Sequence, residues 1–366
     1  MYINCWTNKE ASGLPSMPPA ISVCIPVYAT ERSLPACLQS VAAQRGLESC
    51  GGRNVASLEI IVVDDASPAA DPELGSPARI VSQFQQESPW PVVFLRHEEN
   101  RGLVEARRTA VEAATGEFIF CLDSDDTLPP AALATLYRHA VEEDADIVHG
   151  RAQVVVAQEG CQLEGAALEK VLTQLQEKAD KVFIGRLEGA AILQNKLVEN
   201  LHNNFLWGKL IRRELYLHAL SLIPEMYCTM AEDVVQYLLI AHGARRYLGI
   251  SDIVYNYSVN TGISSRTKIT SLERWEQVCS TASVFTVLFA CLEELDPPFT
   301  ESQVAAIRKL CRFYVANNLQ QLHHAVVPEL QAAAYEVLCD YWGAGLVKRM
   351  EAALEGDGVL LESNPF

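Results

Sequence analysis

Positive charge, paired cysteines and long apolar runs are all scarce in this sequence, and each shortage narrows the function. Its 366 residues carry 29 Lys and Arg against 46 Asp and Glu, a net charge of 29 − 46 = −17. A phosphate-backbone partner needs a basic face, so nucleic acid is set aside. None of the eleven cysteines belongs to a C-x-x-C pair, and the count is odd. Reduced thiols in a cytoplasmic setting are therefore expected over a disulfide framework. No apolar run approaches the roughly 20 residues of a membrane helix, so no transmembrane segment is expected. Residues 1–20 lack the basic and apolar regions of a signal peptide and read as a loose leader. The segment "IPVYATERS" after the first apolar run contains no glycine. That argues against a G-x-G-x-x-G dehydrogenase and against a nucleotidyltransferase with a glycine-rich basic loop.

What is present is a regular alternation. Apolar residues make up 49% of the chain, enough to bury a sizeable core. "ISVCIPV" (21–27), "LEIIVVDD" (58–65), "PVVFLR" (91–96), "EFIFCL" (117–122) and "ADIVHGRAQVVV" (145–156) read as strands. Helical patterns fall between them, at 33–44 with a Ser N-cap, 77–86, 102–114 and 130–143. Strands and helices at this spacing predict βαβ units and a mainly parallel sheet. After about residue 157 the rhythm is lost. A polar helix at 161–180, an insertion or lid, is followed by two more helices and then by "RRYLGISDIVYNYSV", read as a pair of short strands. From Ser271 onward the pattern is helical, and a boundary falls near 262–271.

Two strands end in acid, at Asp64-Asp65 and at Asp123-Ser124-Asp125-Asp126. In an open α/β sheet, ligands bind outside the carboxyl ends of the strands. If the second segment stays extended, Asp123 and Asp125 face one side and Asp126 the other. Clustered carboxylates repel one another unless a cation lies between them, and oxygen-only ligands favour Mg²⁺ or Mn²⁺ completed by substrate phosphates. An Asp126 N-cap on the next helix explains one carboxylate and leaves the other two.

In order and content these pieces resemble the family 2 glycosyltransferases of the GT-A fold, over roughly residues 20–260. The segments that carry the likeness are "VCIPVYATERSLPACLQSVAAQ", "LEIIVVDDASP", "NRGLVEARRTAVEAATGEFIFCLDSDD", "WGKLIRREL" and "AEDVVQYLL". The resemblance implies inverting, metal-dependent transfer of a sugar from a nucleotide diphosphate, with a UDP-sugar as donor and Mn²⁺ or Mg²⁺ as cofactor. Its acceptor would be a glycan, a lipid-linked molecule or a protein, as in polysaccharide or glycan synthesis. Pro26, Val27, Tyr28 and Glu31 would form the first nucleotide loop, and Asp65 would bond the base. Gly102 and Arg107 would lie at the donor pocket, with Asp123 and Ser124 near the sugar and ribose. Asp125, with Asp123, would hold the metal, and Asp233 would be the catalytic base beside Glu232. Trp207 and Lys209 would line the acceptor cleft.

There are departures from the family pattern. Ala29 stands where the family often has Asn after the Tyr, and the Q-x-x-R-W signature of processive synthases is absent, which implies single additions. The expected organisation is a leader (1–20), a GT-A domain (21–265, with a nucleotide-sugar half at 21–156 and an acceptor half at 157–265) and a helical C-terminal region (271–366). Peripheral contact with a membrane and a homodimer are compatible with this reading. Its rival is a non-catalytic descendant that binds a nucleotide-sugar or a partner.

Overall fold

The computed structural model describes residues 3–5, 19–47, 57–68, 70–156, 165–259 and 268–356. Nine strands form one sheet: β1 (Ile3–Cys5), β2 (Ile21–Val27), β3 (Leu58–Asp64), β4 (Val92–Arg96), β5 (Phe118–Cys121), β6 (Ile147–Val156), β7 (Gly185–Glu188), β8 (Lys209–Arg212) and β9 (Arg246–Val259). Their order is β1-β4-β3-β2-β5-β8-β6-β9-β7. The β4-β3-β2-β5 run is parallel, β8 inserts antiparallel between β5 and β6, and β6 and β9 pair parallel. This is the mainly parallel, helix-flanked GT-A sheet. Every residue of β2 and β3 is buried, as unbroken apolar runs such as "ISVCIPV" require when both faces are covered.

Four helices connect these units in the first half: α1 (Leu34–Ala42), α2 (Pro77–Glu87), α3 (Leu103–Ala113) and α4 (Ala132–Glu142). Later come α5 (Gly165–Ala179), α6 (Ala190–Gln194), α7 (Arg213–Ser221) and α8 (Glu232–Gly243). The polar helix expected at 161–180 is α5, docked on β6 where Gln176 bonds Val154 N and Ala152 O; residues 161–164 lie outside the described residues. Ser33 holds the N-cap position of α1 without capping it, because its hydroxyl donates to Thr30 O. The expected pair of short strands at 245–259 is the single bulged strand β9, whose register shifts opposite Arg151. Within the expected leader, Ile3–Cys5 adds an antiparallel edge strand to β4; residues 6–18 lie outside the described residues.

The C-terminal helices are α9 (Leu272–Cys279), α10 (Thr281–Glu294), α11 (Glu301–His324), α12 (Gln331–Trp342) and α13 (Ala344–Gly356). They do not build a core of their own. Trp275, Phe285, Leu319 and Trp342 belong to the same buried cluster as Val104 of α3, Ile119 of β5 and Val235 of α8. The expected boundary runs partly through 260–267, outside the described residues, and the core is continuous across it. One stretch, Leu272–Leu292, is long and apolar enough to cross a membrane, contrary to the sequence expectation. It is 61% buried inside the fold, so a core contact accounts for its composition.

Trp275 is fully buried and its Nε1 donates to Ala334 O at 2.7 Å. Trp275→Ala is expected to destabilise the whole chain by about 3–5 kcal/mol, read by urea unfolding. A loss under about 1 kcal/mol would show that the helices pack loosely on the sheet.

Candidate active site

The two acidic residues after β3 divide their work. Asp64 is fully buried and closes the turn, accepting from Ser67 N (2.9 Å) and Ser67 Oγ (2.7 Å) and pairing with Arg96. Asp65 is buried too, but it reaches the next strand end. It accepts from Arg101 N (2.9 Å), Gly102 N (2.8 Å) and His97 Nδ1 (2.6 Å). A carboxylate offers about four acceptor positions, so one on Oδ2 is left for a ligand. Gly102 adopts φ +86°, and a Cβ there would sit 3.0 Å from Cys228 O. Only glycine allows that approach.

Sequence reasoning missed His97. Its Nδ1 donates to Asp65 and its Nε2 bonds Thr109 Oγ1 at 2.9 Å, so the ring pins Asp65 to α3. The available signal was a histidine at the end of a strand, placed in the polar run that follows Leu95.

At the end of β2, Pro26 and Val27 are buried and Tyr28 is half-buried. Thr30 Oγ1 bonds Ser124 Oγ at 2.8 Å, which ties this loop to the acidic turn. Ser124 is buried, so its hydroxyl serves that link. Glu31 is also buried, with an Oε1 that has no hydrogen-bond partner among the described residues.

The acidic segment is a turn closed by Asp126 N on Asp123 O (3.0 Å); it is not extended as expected. Asp126 does face away from the other two. Its carboxylate accepts from Tyr255 OH (2.7 Å) and Ser258 N (2.6 Å) of β9. Burial and then the Asp125 and Asp123 charges push it well above the usual carboxylate range. Cys37 is pushed up by burial and by the same three acids, so the negative charge is concentrated here. Asp123 and Asp125, both half-buried, are the carboxylates of this turn that do not bond β9. No group of three metal-ligating side chains occurs among the described residues, and phosphate oxygens would have to complete such a site.

Arg107 was expected at the donor pocket, and the structure puts it deeper. It is 1% exposed and spans three carboxylates: Nη1 donates to Glu232 Oε1 and Asp233 Oδ1, both at 2.8 Å, and Nη2 to Asp123 Oδ1 at 3.1 Å. Burial opposes its charge, but Asp233, Asp123 and Glu232 outweigh burial and hold it firmly protonated. Asp233 lies in the first turn of α8, where the helix dipole favours ionisation. Burial and the adjacent Glu232 win, and push Asp233 well above the usual range.

Trp207 and Lys209 were expected to line an acceptor cleft, and both are buried. Trp207 stacks on Phe205, Tyr255 and Tyr257 with centroids 4.4, 4.7 and 5.5 Å apart. Lys209 bonds Asn203 Oδ1 (2.7 Å) and Phe205 O and lies 4.7 Å over Tyr237. Burial pushes its pKa well below the usual lysine range, opposed by the Asp233 charge.

Three non-glycine residues in left-handed backbone flank this site: Ala29 (φ 54°), Ala66 (φ 60°) and Ala231 (φ 63°). Such strain costs about 1–3 kcal/mol per residue and tends to gather where geometry must be held for function. A mainly parallel α/β sheet thus carries carboxylates at two strand ends, one of them joined through Arg107 to half-buried Asp233 of α8.

The comparisons place it further. Residues 22–160 match the family described as Glycosyl transferase family 2. The chain is 32% identical over 131 residues to the glycosyltransferase GlyG of Streptococcus pneumoniae, covering 36% of this chain and 38% of that one. It is 25% identical over 252 residues to the uncharacterized glycosyltransferase EpsJ of Bacillus subtilis, covering 67% and 62%. It thus spans less than two thirds of the length of either relative. In fold it is similar to S. aureus TarS 1-349 solved with UDP-GlcNAc (TM-score 0.51, 17% identity, 92% of each chain).

The raised Asp233 gives a pH prediction. Arg107, Glu232, Asp123 and Lys209 face this group. Between its ordinary pKa of about 3.9 and its native one, the folded state binds more protons, so stability falls as pH rises. Asp233→Asn is therefore expected to be at least as stable as wild type at pH 7, with the advantage shrinking towards pH 4. Thermal melts across that range check it; a variant less stable at pH 7, with the deficit vanishing in acid, contradicts it.

Proposed function

We propose that the protein transfers a sugar from a UDP-sugar to an acceptor hydroxyl with inversion. The observation that carries this is Arg107, which joins the acidic turn after β5 to the acid in the first turn of α8. Donor and acceptor chemistry would then meet at one buried guanidinium. The UDP assignment draws support from Asp65, whose open acceptor position suits the imide N–H of uracil, and from the TarS fold relative solved with UDP-GlcNAc.

Asp125 and Asp123 would hold Mn²⁺ or Mg²⁺, which when bound neutralises charge developing on the departing diphosphate. The chain's own residues do the rest. The segment from Pro26 to Tyr28 and Asp65 orient the nucleotide, and His97 keeps Asp65 in place. Inversion requires a carboxylate on the face opposite the leaving group, and Asp233 takes the acceptor's proton there. Its raised pKa makes it a better proton acceptor than an ordinary aspartate once ionised, with Arg107 stabilising the charged form. Glu232 shares the guanidinium and sets how far Asp233 is raised. The free cysteines among the described residues accord with a cytoplasmic enzyme, and the acceptor would be a glycan, a lipid-linked molecule or a protein.

The test pairs two variants with UDP binding by calorimetry and transfer by UDP release. Asp125→Asn is expected to abolish Mn²⁺-dependent UDP binding while the protein stays folded. Asp233→Asn should bind UDP normally and lose transfer by about 10²-fold or more. Unchanged metal-dependent binding in the first, or surviving transfer in the second, contradicts the assignment.

A further inference from the structure

Between α7 and α8 runs a strap, residues 222–231, that is tied on both sides. On the α3 side, Arg108 donates to Leu220 O and Ile223 O, both at 2.7 Å, and Arg101 pairs with Glu225. On the C-terminal side, Thr229 Oγ1 donates to Gln277 O of α9 (3.4 Å) and Thr229 N to Ser280 Oγ (3.5 Å). Met226 and Cys228 on either side of it are buried, yet Tyr227 is 43% exposed.

A tyrosine exposed to this degree is most often ordinary amphipathic surface. Its position says otherwise here. Tyr227 Cδ2 would lie 3.5 Å from a Cβ on Gly102, and Gly102 N is the donor 2.8 Å from Asp65 Oδ2. Tyr28 and Asp65 are both close enough to act electrostatically on its hydroxyl. That hydroxyl is turned towards Gln277, whose Oε1 is held by Arg274 Nη1 at 2.8 Å. The ring is thus fixed from the C-terminal helices while it stays open beside the base-recognising carboxylate.

We propose that Tyr227 is a specificity-determining wall of the nucleobase slot, facing the base across from Tyr28. The inference rests on the UDP-sugar reading above. It gives the C-terminal helices a part in donor recognition, because α9 orients the strap through Gln277 and Ser280. It also explains why the strap is tied at so many points, since a mobile aromatic would lose the stacking energy to ordering entropy.

Base–aromatic stacking is typically worth a factor of about 5–150 in affinity. Tyr227→Ala is expected to weaken UDP binding by about tenfold in calorimetry with Mg²⁺. Inorganic pyrophosphate with Mg²⁺ should bind this variant as it binds wild type, because the lost contact is to the base. In transfer assays the donor KM should rise with kcat kept, and Tyr227→Phe should restore most of the affinity. Wild type that binds UDP and Tyr227→Ala that binds it equally well overturns this proposal alone. An equal loss for pyrophosphate also overturns it, by showing that the strap acts on the phosphates. Wild type that binds no uridine nucleotide overturns the UDP-sugar reading together with this one.

Discussion

A single buried cation holds the candidate site together. Arg107 comes from the middle of a helix that packs under the sheet, and its guanidinium meets acids from two other elements. Charge at 1% exposure carries a desolvation penalty of several kcal/mol, which only close, well-formed ion pairs offset. Three carboxylates around one guanidinium leave negative charge in excess. Burial first and then repulsion from Glu232 raise Asp233, against the pull of Arg107. The same contact fixes the distance between the donor side and the base side, which belong to segments far apart in the chain.

Such a centre needs a rigid frame, and the fold supplies one from an unexpected direction. The strained alanines at positions 29, 66 and 231 persist only because surrounding structure holds them. Buried strands hold the first two. The third precedes α8, whose outer face is covered by the core of the C-terminal helices. Those helices are therefore part of the same structural unit as the acid in the first turn of α8. A tail that merely rode on the domain would leave α8 with an uncovered apolar side.

Much of the frame was legible in the sequence because strands buried on both faces announce themselves as unbroken apolar runs. "ISVCIPV" coincides with β2 end to end, and the acid after β3 and β5 marked the ligand edge. The family likeness singled out Asp65, but that Asp64 closes the turn depends on Ser67 and Arg96 arriving in space. Arg107 was placed at the donor pocket by the family likeness, and its ties to Glu232 and Asp233 emerge only when α8 is brought near in space. His97 is invisible for the same reason: its partners lie 32 and 12 residues away and meet only through strand order. The burial of Trp207 and Lys209 could not be read in advance, because a sequence likeness gives a segment's neighbourhood but not its depth. Here three aromatic rings and an asparagine cover them. Ala29 is a departure the backbone registers directly, as a left-handed residue where Asn sits more comfortably than Ala.

The central claim is that Arg107 is held as the counter-ion of Glu232 and Asp233, and the most direct measurement is a double-mutant cycle on unfolding free energy. Arg107→Met alone leaves buried carboxylates uncompensated and should cost about 3–5 kcal/mol. In a Glu232→Gln background the same change should cost markedly less, giving a coupling of about 1 kcal/mol or more. Additive effects, within about 0.5 kcal/mol, would contradict the account and reduce Arg107 to one more packed side chain.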